Sequence, residues 1–196
     1  MSSTNRGANR VENDKYNTPA LTINSLLDVL RIEPYYTFLE PCRSTGTIYN
    51  ALHLPTRQKL WAEIDYGIDY LVTPYPHSDL IITNPPFSLA LEFLRKSLTE
   101  ADSVWYLLRL NFLGSQKRKA FWNANPPTHV LVLSERPCFV WVCQNRACKA
   151  MYEPGTTTIC EACCGKVRAQ TDSIEYAWFG WDRIGVCGLT EGVHVL

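Results

Sequence analysis

The sequence of 196 residues predicts a doubly wound α/β domain with a mostly parallel sheet, on three observations. Strand-like and helix-like segments alternate along most of the chain, the order that builds parallel sheets covered by helices. The runs "LIIT" and "VLVL" are continuously apolar, as strands buried on both faces are. A cysteine-rich stretch near the C-terminus interrupts this rhythm and is followed by another strand-like segment.

Residues 1–14 are polar and read as a flexible arm, which leaves 15–196 as one domain interrupted by an insertion at 138–171. "NTPALTINSLLDVLRI" sets Leu21, Leu26, Leu27 and Leu30 near helical spacing, behind a Thr-Pro that opens helices. "YYTFLE" is a short strand ending at Glu40, "PCRSTG" a turn and "TIYNALHL" a second helix. The alternation continues with the strands "KLWAEID" and "DLIIT", the helix "SLALEFLRKSL", the strand "SVWYLLRL", the helical "SQKRKAFWNAN" and the strand "THVLVL". "IEYAWFGWDRI" is the last strand expected. In such sheets ligands gather at the carboxyl ends of strands, where Glu40, Glu63 and Asn84 fall.

Hydrophobic residues make up 46% of the chain and charged residues 19%, which excludes disorder over most of its length. Nineteen basic residues balance nineteen acidic ones, so nucleic-acid binding would need a local patch. The opening "MSSTNRGANRVENDK" lacks the apolar segment of a signal peptide, and no run approaches a membrane span. A cytoplasmic protein with no membrane partner is expected.

Five of the eight cysteines lie between Cys143 and Cys164, and in a reducing compartment such a cluster points to metal. Cys143 and Cys148 form one pair, Cys160 and Cys163 another, and "EPG" supplies a turn between them. Four thiolates in a closed tetrahedral shell predict structural zinc, folding a segment too small for its own core. Cys164 adjoins Cys163 and is an alternative fourth ligand. Arg146, Lys149, Lys166 and Arg168 flank the cluster, either to meet phosphates or as solvated charges.

Asn84-Pro85-Pro86-Phe87 closes the strand "DLIIT" with two prolines that end the ladder and fix an extended turn. With this tetrapeptide the chain resembles the S-adenosylmethionine-dependent methyltransferases of the adenine amino group in DNA, most closely the small phage-type members. That resemblance implies a Rossmann-like class I methyltransferase fold, in a bacterial or phage-infected cell, acting on DNA, chiefly double-stranded. The alternatives are a nucleic-acid-binding protein that keeps this fold with weak or no turnover, and an amino-methyltransferase acting on RNA or on a protein glutamine. An aromatic amino group is a poor nucleophile because its lone pair is delocalised. By resemblance, the Asn84 side-chain oxygen and the Pro85 carbonyl would accept its hydrogens, and Phe87 would stack on the extruded adenine. The methyl group would pass in line to nitrogen with no covalent enzyme intermediate.

The resemblance also implies a cofactor set. "FLEPCRSTG" matches the turn around the methionine part of S-adenosylmethionine through Glu40, Pro41, Cys42 and Gly46, with Arg43 and Ser44 where the family has Ala and Gly. Read plainly, Glu40 is a capping or surface carboxylate. Glu63 would accept bonds from the ribose hydroxyls, with Asp65 as competitor, and Asp69 of Asp69-Tyr70-Leu71 would meet the cofactor's adenine or simply serve a turn. "DKYNTPA" resembles the segment whose Tyr16, Thr18 and Pro19 line the cofactor pocket, and this order of motifs is that of the gamma group. Beyond the fifth strand, Arg109 and Asn111 border the active site by the same resemblance, and Lys117, Arg118 and Lys119 meet phosphates or form a solvated helix face. The insertion and arm alone remain to read bases, so short or loose sequence specificity is expected.

Overall fold

The computed structural model describes residues 17–145, 147–148, 150–152, 155–171 and 173–196. The proposed arm 1–14, and Tyr16, Arg146 and Lys149, lie outside the described residues. The strands in chain order are β1 (Phe38–Glu40), β2 (Lys59–Trp61), β3 (Ser78–Thr83), β4 (Ala101–Arg109), β5 (His129–Val132), β6 (Val140–Cys143), β7 (Met151–Tyr152), β8 (Val167–Gln170), β9 (Tyr176–Asp182) and β10 (Gly192–Val195). The helices are α1 (Ala20–Leu27), α2 (Thr47–Ala51), α3 (Ala90–Glu100) and α4 (Lys119–Ala124).

Seven strands form one sheet in the order β10-β5-β9-β4-β3-β1-β2. β9 runs antiparallel to both β4 and β5, and every other pairing in this sheet is parallel. From β1 the chain moves outward to β2, then returns on the other side to β3 and β4. The strand order therefore reverses between β1 and β3, and a crevice opens beyond their carboxyl ends.

Strand alternation sends neighbouring side chains to opposite faces. On one face Val104, Tyr106 and Leu108 of β4 pack with Phe93, Leu94 and Leu98 of α3. On the other, Trp105 and Leu107 pack with Ile23 and Leu26 of α1 and Ile48 of α2. Coverage on both faces accounts for the apolar runs: β9 is buried throughout, and β3 nearly so. Gly180 in β9 lets the Trp105 ring lie directly on the backbone, because a Cβ there would come within 2.5 Å of it.

Two expectations are corrected. Leu21 does not belong to the buried face of α1: it is 77% exposed, while Thr22, Ile23 and Leu26 are buried. The deciding contact is long-range, since Trp178 Nε1 donates to the Thr22 carbonyl at 3.0 Å and fixes which side of the helix faces the sheet. β9 is also not the last strand, because β10 extends the sheet beside β5. Three further strands, β7-β6-β8, form a separate antiparallel sheet within 138–171. No helix among the described residues is long and apolar enough to cross a membrane.

Candidate active site and four-cysteine cluster

The crevice at the strand reversal is lined by Asn17, Thr18, Glu40, Cys42, Asn84 and, from the turn after β1 and the start of α2, Arg43, Ser44, Thr45, Thr47 and Ile48. The segment before α1, the end of β1 and the end of β3 thus meet at one place. The cleft encloses about 10 Å³ of solvent-accessible space, room for about one water.

The turn after β1 is tightly built. Arg43 N–H donates to the Ala62 carbonyl at 3.0 Å, and Ala62 N–H donates to the Glu40 carbonyl at 2.9 Å, binding the turn to the end of β2. Ser44 adopts φ +48°, a left-handed conformation usually left to glycine. Its N–H donates to Glu63 Oε2 at 2.6 Å and its hydroxyl to Asn17 Oδ1 at 2.5 Å. Gly46, at φ +86°, caps α2 and leaves space for Arg43 Nε, which would lie 3.3 Å from an added Cβ. The Arg43 guanidinium sits 4.9 Å from the Tyr49 ring centroid and 4.7 Å from that of Trp61.

This arrangement gives two measurable outcomes. Ser44→Ala is expected to destabilise the fold by about 1 kcal/mol through the lost hydroxyl bond, whereas Ser44→Gly regains a similar amount from relieved backbone strain. Urea midpoints of the two variants test this, and equal losses would exclude strain at Ser44. Glu40 is buried and raised well above the ordinary carboxylate range, chiefly by desolvation. A carboxyl raised in the folded state stabilises most while protonated and loses that contribution as pH rises through its folded value. Relative to Glu40→Gln, the wild type is therefore expected to lose stability from the ordinary carboxylate range upward, and parallel stability curves across pH 4–8 would refute this.

Asn84 is half-buried at the end of β3, and Pro85 is buried behind it. Phe87 lies under the Arg109 guanidinium, 4.5 Å from its ring centroid, and packs against Tyr176 at 6.0 Å. Among the described residues, three buried polar atoms at this end of the sheet, Glu40 Oε2, Arg43 Nε and Thr83 Oγ1, have no hydrogen-bond partner.

Other residues singled out from the sequence are dispersed. Glu63 reaches the cleft wall through Ser44 and caps the turn at Asp65 N–H, while Asp65 itself is exposed. Asp69 accepts the Leu71 N–H at 2.9 Å in a local turn. Tyr70 is not at the cleft: its ring is buried against Phe93, and its hydroxyl bonds Ser97 at 2.9 Å and Glu100 at 2.8 Å. A ring with two polar partners beneath α3 is more stable there than at a wet rim. Pro19 precedes α1, and Pro41 is buried behind the turn. Asn111, Lys117 and Lys119 are exposed, but Arg118 lies over Phe112 and donates to its carbonyl at 2.8 Å, which engages it inside the fold.

In the insertion, the sulfurs of Cys143, Cys148, Cys160 and Cys163 all lie within 4.8 Å of one another. Cys143 and Cys163 are 3.5 Å apart, as are Cys148 and Cys160. Cys164 is exposed and stands outside this group. Tyr152 donates to Cys160 Sγ at 3.1 Å and, with backbone N–H donors, draws that thiol down to about 6.

Neither a family model nor a curated protein matches the chain. Among solved structures, it is similar to a Pyrococcus horikoshii protein provisionally assigned as an RNA methyltransferase, with 17% identity, TM-score 0.54 and coverage of 87% of this chain and 88% of that one. It is also similar to a Listeria monocytogenes protein, provisionally assigned as a class I S-adenosylmethionine-dependent methyltransferase, with 13% identity, TM-score 0.50 and coverage of 96% of this chain and 67% of that one. The fold is that of class I methyltransferases. Within this methyltransferase fold, sequence reading missed Asn17, Thr45, Thr47 and Ile48 of the cleft, which follow from the known motifs only once the turn's path is seen. Tyr176, bonded to Arg109 and packed on Phe87, left no local signal.

Proposed function

We propose that the chain transfers a methyl group from S-adenosylmethionine to the exocyclic amino group of adenine in DNA, and that its four converging cysteines hold a structural zinc ion. The observation that carries the first part is the meeting of Asn84 with Thr18, Glu40 and Cys42 in one cleft at the strand reversal. The unpaired Glu40 Oε2 fits a cleft completed by a polar ligand. When bound, the cofactor supplies an electrophilic methyl group. In this reading Asn84 Oδ1 and the Pro85 carbonyl hold the amino hydrogens, and Phe87 offers its ring to the base. An all-sulfur donor set with no open position supports a structural ion and favours zinc.

A second substrate is favoured by one observation, the assignment of the Pyrococcus neighbour to RNA. Ser44, standing where the family has glycine, and the small region left to read bases also favour a nucleic-acid-binding protein without turnover. One experiment separates the three. Purified protein is incubated with labelled S-adenosylmethionine and unmethylated DNA or RNA, and the products are digested to nucleosides. Label in methyladenine from DNA is expected. Label from RNA alone shifts the substrate, and binding of nucleic acid with no label in either leaves the module without turnover.

A further inference from the structure

The insertion leaves and rejoins the large sheet beside the cleft. Tyr176, the first residue of β9, pairs with Arg109, the last of β4. Both stems of the insertion are pinned there: Arg136 forms a two-point ion pair with Glu175, and the Phe139 ring meets Tyr176 edge-on at 5.2 Å. Tyr176 in turn packs on Phe87, and its hydroxyl lies 3.4 Å from Arg109 Nε, above whose neighbour Phe87 the guanidinium rests. A continuous chain of rings thus runs from the residue before β6 to the tetrapeptide at the end of β3.

What orders the far end of this chain is the sulfur cluster. The core of the insertion is Cys143, Cys160 and Val167, with Trp141, Tyr152, Cys148 and Cys163 against it, far too little apolar surface to fold a separate sheet. Zinc–sulfur bonds of about 2.3 Å place tetrahedral ligands about 3.8 Å apart, close to the sulfur separations here. Backbone amides two residues on repeat the same contact at three sulfurs: Asn145 N–H to Cys143, Ala150 N–H to Cys148 and Ala162 N–H to Cys160. Such donors, with the Tyr152 hydroxyl, orient and stabilise thiolate ligands. Gly165 completes the cradle, because an added Cβ would lie 3.2 Å from Cys143 Sγ and 3.3 Å from Cys163 Sγ.

We infer that metal binding in the insertion fixes the position of Phe87: the ion folds β6, β7 and β8, the folded module holds Phe139 against Tyr176, and Tyr176 with Arg109 holds the ring. As a control on substrate handling this rests on Phe87 being the base-stacking surface, but the mechanical link does not. Hydrogen exchange of the full chain, with bound zinc and after chelation, measures the link directly. One zinc per chain is expected. Chelation is expected to raise exchange across 139–171 and, at least about threefold, in peptides spanning 84–90 and 107–112. Exchange that rises only within 139–171, or a purified chain that binds no zinc, overturns the inference. Phe139→Ala is the second variant, expected to keep its zinc and the protection of 143–168 while loosening 84–90. A Phe139→Ala protein with wild-type exchange at 84–90 overturns it as well. If these exchange changes occur in a protein that labels no nucleic acid, the link stands and the methyl-transfer reading fails.

Discussion

Asn84→Ala is expected to lower methyl transfer to DNA by about 10²–10³-fold, with thermal stability unchanged. Asn84 is half-buried at the end of β3, and the prolines after it fix the backbone turn. In the proposed reaction, its amide oxygen accepts a bond from the adenine amino group while the nitrogen becomes tetrahedral. That bond strengthens only as the transition state forms, so the loss belongs to kcat more than to KM for either substrate. Asn84→Asp retains an oxygen acceptor and is expected to keep part of the rate. Single-turnover assays of the three proteins, beside their melting curves, provide the measurement. Activity of Asn84→Ala within about threefold of wild type would remove this residue from the chemistry.

Gly180→Ala is expected to destabilise the fold by about 2–3 kcal/mol, more than most single surface changes. The added methyl would meet three atoms of the Trp105 ring at 2.5–2.9 Å. That ring has no exposed surface, its Nε1 donates to Ser103 Oγ at 2.9 Å, and His129 packs on it at 5.6 Å. It can neither swing out nor slide without losing a buried hydrogen bond. The cost then falls on the β9 backbone, which binds β4 on one side and β5 on the other. Trp105→Phe in the Gly180→Ala background should recover part of the loss, because the smaller ring leaves the space the methyl needs. Urea unfolding at constant m would show a lowered midpoint, and an unchanged midpoint would mean the sheet absorbs the methyl by local bending.

The strands that the sequence discloses most clearly are those at the centre of the sheet. "LIIT" and "YAWFGW" are buried on both faces and need no pattern other than continuous apolar character. The cleft was readable at Thr18, Glu40, Cys42 and Asn84 because these residues sit in short motifs, Thr18 just before α1 and the others at strand ends. Tyr70 misled because a motif match says nothing about which way a ring turns, and the Ser97 and Glu100 partners that decide it come from a helix more than twenty residues away in sequence. Leu21 misled for a related reason: the helix pattern allowed two faces, and Trp178, from the far end of the chain, selected between them. Neither the positive φ at Ser44 nor the placement of Arg109 over Phe87 has a composition or spacing that announces it.

The connection between β5 and β9 has a consequence for how such proteins diversify. Those strands are antiparallel neighbours, which a turn of a few residues can join. Because loop closure grows only logarithmically, replacing a short turn with a self-folding module costs roughly 2 kcal/mol, provided the module brings its own source of order. The ion pair and ring contact at the stems, Arg136 with Glu175 and Phe139 with Tyr176, keep the ends of the module together. This hairpin is therefore a socket: a unit with its own source of order can be inserted here while β5 and β9 keep their pairing in the large sheet.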